Sequence, residues 1–114
     1  MASFKQRQIV LVKFKLPGGA SLEHPVIILS NDSVIQKEKA FVGVMMSSSG
    51  RYDEYTFKVE NNMLSKPPRL QTQIRCHLVA LIDNNEVINP ISEIKKDSFT
   101  KLLTHINKVV FIHP

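Results

Sequence analysis

Apolar residues recur along the chain in short runs with the length and rhythm of β-strands, and one stretch near the end has helical spacing. Residues 8–15, Gln-Ile-Val-Leu-Val-Lys-Phe-Lys, are apolar at successive positions, which predicts a strand covered on both faces and central in a sheet. Leu16-Pro17-Gly18-Gly19-Ala20-Ser21-Leu22 reads as a loop. A second strand is predicted over 26–30, with Pro25 at its start, where a strand tolerates proline. His24 then stands at the mouth of the loop. Asn31-Asp32-Ser33 is N-cap chemistry and predicts a short helical turn through Gln36.

A third strand spans 40–46 and runs into the loop signature Ser47-Ser48-Ser49-Gly50. Residues 54–60 alternate strictly, with Tyr55, Phe57 and Val59 on one face, so that strand has one wet side. Residues 61–69, with Pro67-Pro68, form a loop. A long strand over 72–82 follows, and Asp83-Asn84-Asn85 predicts a hairpin turn into 86–88. Phe99, Leu102, Leu103, Ile106, Val109 and Val110 then recur every three or four residues behind Asp97 as N-cap, which predicts an amphipathic helix. The expected fold is mainly β (α+β), a small, strongly curled antiparallel barrel. A C-terminal α-helix covers it, and curling hides the sheet edges.

At 114 residues there is room for one core, so a single domain over 1–114 is expected. A hydrophobic content of 43% with 22% charged residues excludes wholesale disorder. No apolar run approaches the roughly 20 residues that cross a bilayer, and the basic start of the chain lacks the rest of a signal peptide. The single cysteine, Cys76, suits a reducing cytoplasm. A net charge of +5 favours polyanionic partners, nucleic acid ahead of an acidic protein segment. No residues stand at zinc-site spacing, and no metal or cofactor is expected. Cys76 reads as a small buried apolar residue that points away from the face carrying its neighbour His77.

For contact with nucleic acid the chain offers Lys13 and Lys15 on one face of the first strand, with Arg51, Tyr52 and Lys58 further on. Cations would hold phosphates and the aromatic ring would stack on a base. Each lysine could equally be the wet side of its strand.

In order and spacing these segments resemble the PemK/MazF family of toxins. Ile9 to Phe14 is similar to the family's opening strand, and His24-Pro25-Val26-Ile27-Ile28-Leu29-Ser30 to its Arg-Pro-led second strand. Ser47 and Ser48 stand where a Thr or Ser ends its third strand, and Thr72-Gln73-Ile74-Arg75-Cys76-His77 through Asp83 matches its Ile-x-Cys strand. The resemblance covers about residues 7–112 and implies an SH3-like barrel. It also implies a homodimer, a cognate antitoxin and metal-independent endoribonuclease activity on single-stranded RNA. Three positions depart from it: Arg7-Gln8 replaces Gly-Asp, His24 replaces arginine, and His77 replaces an acidic residue.

Cleavage through a 2′-hydroxyl needs a base, an acid for the leaving oxygen, and stabilisation of the phosphorane's charge. By position the resemblance lays these duties on His24 and Ser47, with Ser48 the neighbouring option. Histidine titrates near neutrality but lacks the permanent forked charge of a guanidinium. Arg51 could supply that charge, and Arg75 is a second candidate. Two other expectations stand beside this one. The protein could keep the barrel and bind nucleic acid or an antitoxin peptide without cleaving anything. It could also poison gyrase, like other relatives of the barrel.

Overall fold

Six antiparallel strands curl around an apolar interior in the computed structural model, which describes residues 3–15, 17–19, 21–48, 52–67 and 72–113. The strands are β1 (Gln8–Lys15), β2 (Ser21–Ile28), β3 (Ala40–Ser47), β4 (Thr56–Lys58), β5 (Gln73–Asp83) and β6 (Val87–Glu93). Helix α1 (Asp32–Glu38) joins β2 to β3, and α2 (Lys96–Ile106) continues into a π-helical turn at Asn107–Phe111. The sheet order is β4-β5-β3-β2-β1-β6. The mainly-β barrel with a terminal helix is therefore the architecture, and β1 lies inside the sheet as its two-sided apolar run requires.

Alternation along the strands divides the interior. Ile9, Ile27, Val44, Met46, Ile74 and Cys76 pack with Phe99, Leu102 and Ile106 of α2. Val10, Val12, Val26, Ile28, Met45 and Ile82 pack with Ile35 of α1. Burial in the first of these groups pushes the Cys76 thiol up to about 11, so it is held neutral among hydrocarbon.

The outer strands meet through the segments that follow them. Leu64 and Ile94 form a bridge, Ser65 N donates to Glu93 O at 2.8 Å, and Lys95 N donates to Met63 O at 2.8 Å. Ser92 Oγ adds a bond to Lys66 O at 2.8 Å. Arg7 secures the same seam: its N–H reaches Ile28 O at 2.9 Å and its carbonyl accepts from Ile94 N at 2.9 Å. It does this with φ at 78°, a left-handed conformation that glycine adopts without strain.

Four sequence expectations need correction. The second strand begins at Ser21, so His24 lies within β2, opposite Val12, and Pro25 lies opposite Leu11. A tight turn through Gly18 and Gly19, both near φ 93°, lets β1 recruit these residues; the ladder to β3 starts only at Val26, which leaves Pro25 beside an open flank. The run 54–60 yields only the three residues of β4, because side chains take the flanking backbone groups: Tyr55 N donates to Asp53 Oδ1 and Val59 N to Gln73 Oε1. Asp83-Asn84-Asn85 makes no hairpin. A 3-10 turn at Asn84–Glu86, held toward β3 by Asn84 N–H to Lys39 O at 3.1 Å, sends β6 to pair with β1. Finally, α2 starts behind Lys95, whose N–H is already spent on the seam, and Asp97 sits in the first turn, where its charge suits the helix dipole.

Gly43 marks where β3 is packed hardest. A Cβ there would run into Val26 Cγ1 and lie 3.2 Å from Phe41 Cε1 and 3.3 Å from Ile82 Cδ1. Val26 is β-branched and fully buried, so it has no rotamer to escape into. Gly43→Ala should cost about 1–3 kcal/mol by overpacking, read as a fall in midpoint by denaturant unfolding. An unchanged midpoint would show that this contact yields freely.

Candidate functional site

Cross-strand pairing assembles residues that are far apart in the chain. Ser47, the last residue of β3, is paired with Gln73 of β5, and Gln73 on its other side with Lys58 of β4. The β2–β3 ladder ends with Val26 opposite Met45, and His24 and Ser47 each lie two residues beyond that last pair, on the face of Val26 and of Met45. Direct antiparallel partners share a face. Ser47, Gln73 and Lys58 therefore form one transverse row over three strands, and His24 faces the same way at its β2 side, at the end of the interior group that contains Val12, Val26 and Met45. Tyr52, 56% exposed, closes the row, with Lys58 Nζ 5.7 Å from its ring centre.

Within this row His24 is half-buried. Its Nε2 is buried, with no hydrogen-bond partner among the described residues. An imidazole nitrogen in that state carries an unmet hydrogen-bonding demand. Gln73 is buried, and its side-chain oxygen accepts from Val59 N at 2.6 Å.

One step along β5, Arg75 sits opposite Thr56 of β4 on the same face. Its guanidinium makes a forked pair with Asp53: Nη1 to Oδ1 at 3.1 Å and Nη2 to Oδ2 at 3.0 Å. Nη1 also donates to Thr56 Oγ1 at 2.8 Å. The Arg75 side chain is 8% exposed and that of Asp53 32%. Bonding from Arg75, and then from the Tyr55 N–H, holds the Asp53 carboxyl down at about 2 against the opposing effect of desolvation. A bulge lies just beyond: the step from Val44 to Met46 on β3 spans Val79 to Ile74 on β5. It leaves His77 exposed, its ring 4.7 Å from that of Tyr55.

The structure thus brings His24, Ser47, Lys58, Tyr52 and Arg75 to one face. Ser48 follows Ser47, exposed. Lys13 lies opposite Glu23, on the alternate face of β1 from Val12 and His24, and does not join the row. Lys15 ends β1 opposite Ser21, and its side chain lies outside the description. Arg51 lies outside the described residues. Sequence reasoning missed Gln73, Asp53 and Thr56. A signal existed for the last two: an arginine inside the apolar 72–82 strand needs a buried counter-charge. No group of three His, Cys, Asp or Glu placed to hold a metal occurs among the described residues. No helix among them is long and apolar enough to cross a membrane.

The profile of the PemK-like, MazF-like toxins of type II toxin–antitoxin systems matches residues 5–110. Among solved structures, MazF of Deinococcus radiodurans superposes with a TM-score of 0.80 at 9% identity, over 98% of this chain and 100% of that one. An endoribonuclease from a mycobacterial species gives 0.74 at 16% identity, over 95% and 91%. A mycobacterial endoribonuclease in complex with its cognate antitoxin gives 0.72 at 15% identity, over 97% and 99%. Curated proteins give no match.

Asp53→Asn should lower stability at neutral pH, because the folded carboxyl titrates near 2, below its ordinary 3.8. The Asp53 contribution is whole above about pH 4 and lost as the pH falls through about 2. Thermal melts of both proteins should therefore diverge at neutral pH and converge in acid; a gap independent of pH would mean that the carboxylate's charge is not what stabilises.

Proposed function

The chain belongs to the PemK-like, MazF-like toxins of type II toxin–antitoxin systems, and from that premise we propose that it is a single-domain cytoplasmic endoribonuclease that cleaves single-stranded RNA without a metal. The observation that carries this reading is the transverse row. It brings the imidazole of His24, within β2, and the hydroxyl of Ser47, at the end of β3, to one side with Lys58 and Tyr52.

Strand-borne groups suit the chemistry, because the pleat holds them without a loop's freedom. A phosphodiester lying along the row presents its 2′-hydroxyl and its leaving 5′-oxygen to one imidazole, which takes the first proton or delivers the second. Ser47 contacts the phosphate or the 2′-hydroxyl. Arg51 stabilises the charge that grows on the phosphorane. Lys58 and Tyr52 hold the flanking strand, one by charge and one by stacking. Exposed Leu103, Phe111 and Ile112 near the end of the chain offer apolar surface for a second copy, and the family premise supplies the antitoxin as protein partner. A solution mass equal to one 13.0 kDa chain would remove the homodimer from this reading.

One observation favours a second reading. His24 stands where the family resemblance expects arginine, and a barrel without that fixed charge could bind RNA or an antitoxin segment and leave the phosphodiester intact.

The test is purified protein with a long single-stranded RNA in EDTA. Discrete cuts unaffected by the chelator are expected. His24→Ala should lower the cleavage rate by roughly 10²–10⁴-fold while RNA affinity changes little. Ser47→Ala should also slow cleavage. Equal rates for His24→Ala and wild type would strip His24 of its role, and intact RNA with tight binding would establish the second reading.

A further inference from the structure

The chain follows β3 with β4, yet β5 lies between those two strands in the sheet. It leaves β3 at Ser47, paired with Gln73, and enters β4 at Thr56, paired with Arg75. Just before β4, Asp53 is fastened by β5 itself. Arg75 reaches from its strand to both oxygens of Asp53, at 3.1 and 3.0 Å, and to Thr56 Oγ1 at 2.8 Å.

The fastening is closed on all sides. Asp53 N donates to Thr56 Oγ1 at 3.1 Å, Thr56 Oγ1 donates to Asp53 Oδ1 at 3.3 Å, and Tyr55 N donates to Asp53 Oδ1 at 3.0 Å. Cys76 N, beside Arg75, donates to Tyr55 O at 2.9 Å. Lysine could not reproduce a planar two-point grip on a carboxylate. Tyr52, which completes the transverse row over Lys58, is joined directly to Asp53.

We infer that Arg75 is a positioning residue, which clamps Asp53 and so sets Tyr52 against the row of candidate catalytic side chains. This rests on the endoribonuclease reading for what is positioned, and on the geometry for the clamp itself. A buried guanidinium with a forked carboxylate partner is costly to break, because loss of one partner strands the other's charge. The clamp therefore has one strongly preferred state. It acts on rate through geometry, since a misplacement of about 1 Å can cost on the order of 10²-fold.

The test compares wild type with Arg75→Lys, Asp53→Asn and Asp53→Glu. Thr56→Val is the mildest variant should the charged-pair variants fold poorly. Steady-state kinetics on single-stranded RNA in EDTA would be read beside amide hydrogen exchange at Tyr55 and Cys76. The expected result is a fall in kcat of roughly 10–100-fold in Arg75→Lys and Asp53→Asn, with KM within about threefold and partial recovery in Asp53→Glu. Exchange at both amides should quicken about tenfold or more. A rise in KM with kcat and exchange unchanged would mean that Arg75 grips RNA directly, and would overturn the clamp. Wild-type cleavage with equal kcat in every variant would overturn it also. If wild type leaves RNA intact, the endoribonuclease reading fails by itself, and exchange decides the clamp: faster exchange at Tyr55 in the variants supports it, unchanged exchange rejects it.

Discussion

An antiparallel sheet ends in two rows of unpaired backbone groups, and this fold depends on bringing those rows together. β4 and β6 lie at opposite ends of the strand order, yet Met63–Ser65 behind one and Glu93–Lys95 behind the other exchange backbone hydrogen bonds through the Leu64–Ile94 bridge. Leu64 and Ile94 are both buried there, so the seam is apolar as well as hydrogen-bonded. Closure of this kind removes the template that an open edge offers to other chains. It also explains why α2 begins at once behind Lys95: the seam ends the last strand and aims the helix back over Ile9, Val44 and Ile74. Arg7 accepts a left-handed backbone in the same place, and its side chain adds a bond to Ile94 O at 3.0 Å.

Curling the sheet has a second result. The shortest strand, β4, lies next to β5 rather than beside β3, its predecessor in sequence. The site stands where the first residues of β5 meet the ends of both. Apolar alternation supplies a wall of Val12, Val26 and Met45, and polar residues replace it where the ladders run out: His24 after Val26, Ser47 after Met45. Of the buried polar groups beside them, Gln73 is tied to Val59 N and Arg75 to Asp53 and Thr56, while Thr72 Oγ1 has no hydrogen-bond partner among the described residues. The Nε2 of His24, without a partner among the described residues, is the contrast that draws chemistry to this row.

Much of the fold was legible because short-range pattern carries it. The apolar run of β1, the Asn31 cap of α1, whose Oδ1 accepts from Val34 N at 3.1 Å, and the three- and four-residue spacing of Phe99, Leu102 and Ile106 each follow from neighbouring residues alone. Errors gathered where a partner strand or a side chain from elsewhere overrode the local signal. Pro25 read as a strand start but sits inside β2, since only one flank there is paired. Asp83-Asn84-Asn85 read as a hairpin turn, yet Lys39 holds that turn and β6 joins β1. Tyr55 and Val59 fit a longer strand until Asp53 and Gln73 took their N–H groups.

For the site the division is sharper. Sequence named His24, Ser47, Tyr52, Lys58 and Arg75 as residue types able to handle RNA, but it held Lys13 and Lys15 equal to them. Alternation along β1 placed Lys13 on the other face from His24, a parity that has meaning only once Val12 is known to stand opposite His24. The sequence by itself determined which segments become strands and helices, because side-chain periodicity and capping act within a few residues. Only the tertiary structure decided which ends of those strands meet, and that Arg75 turns to Asp53, because register and the pairing of a buried guanidinium join residues that the chain keeps a dozen to more than twenty positions apart.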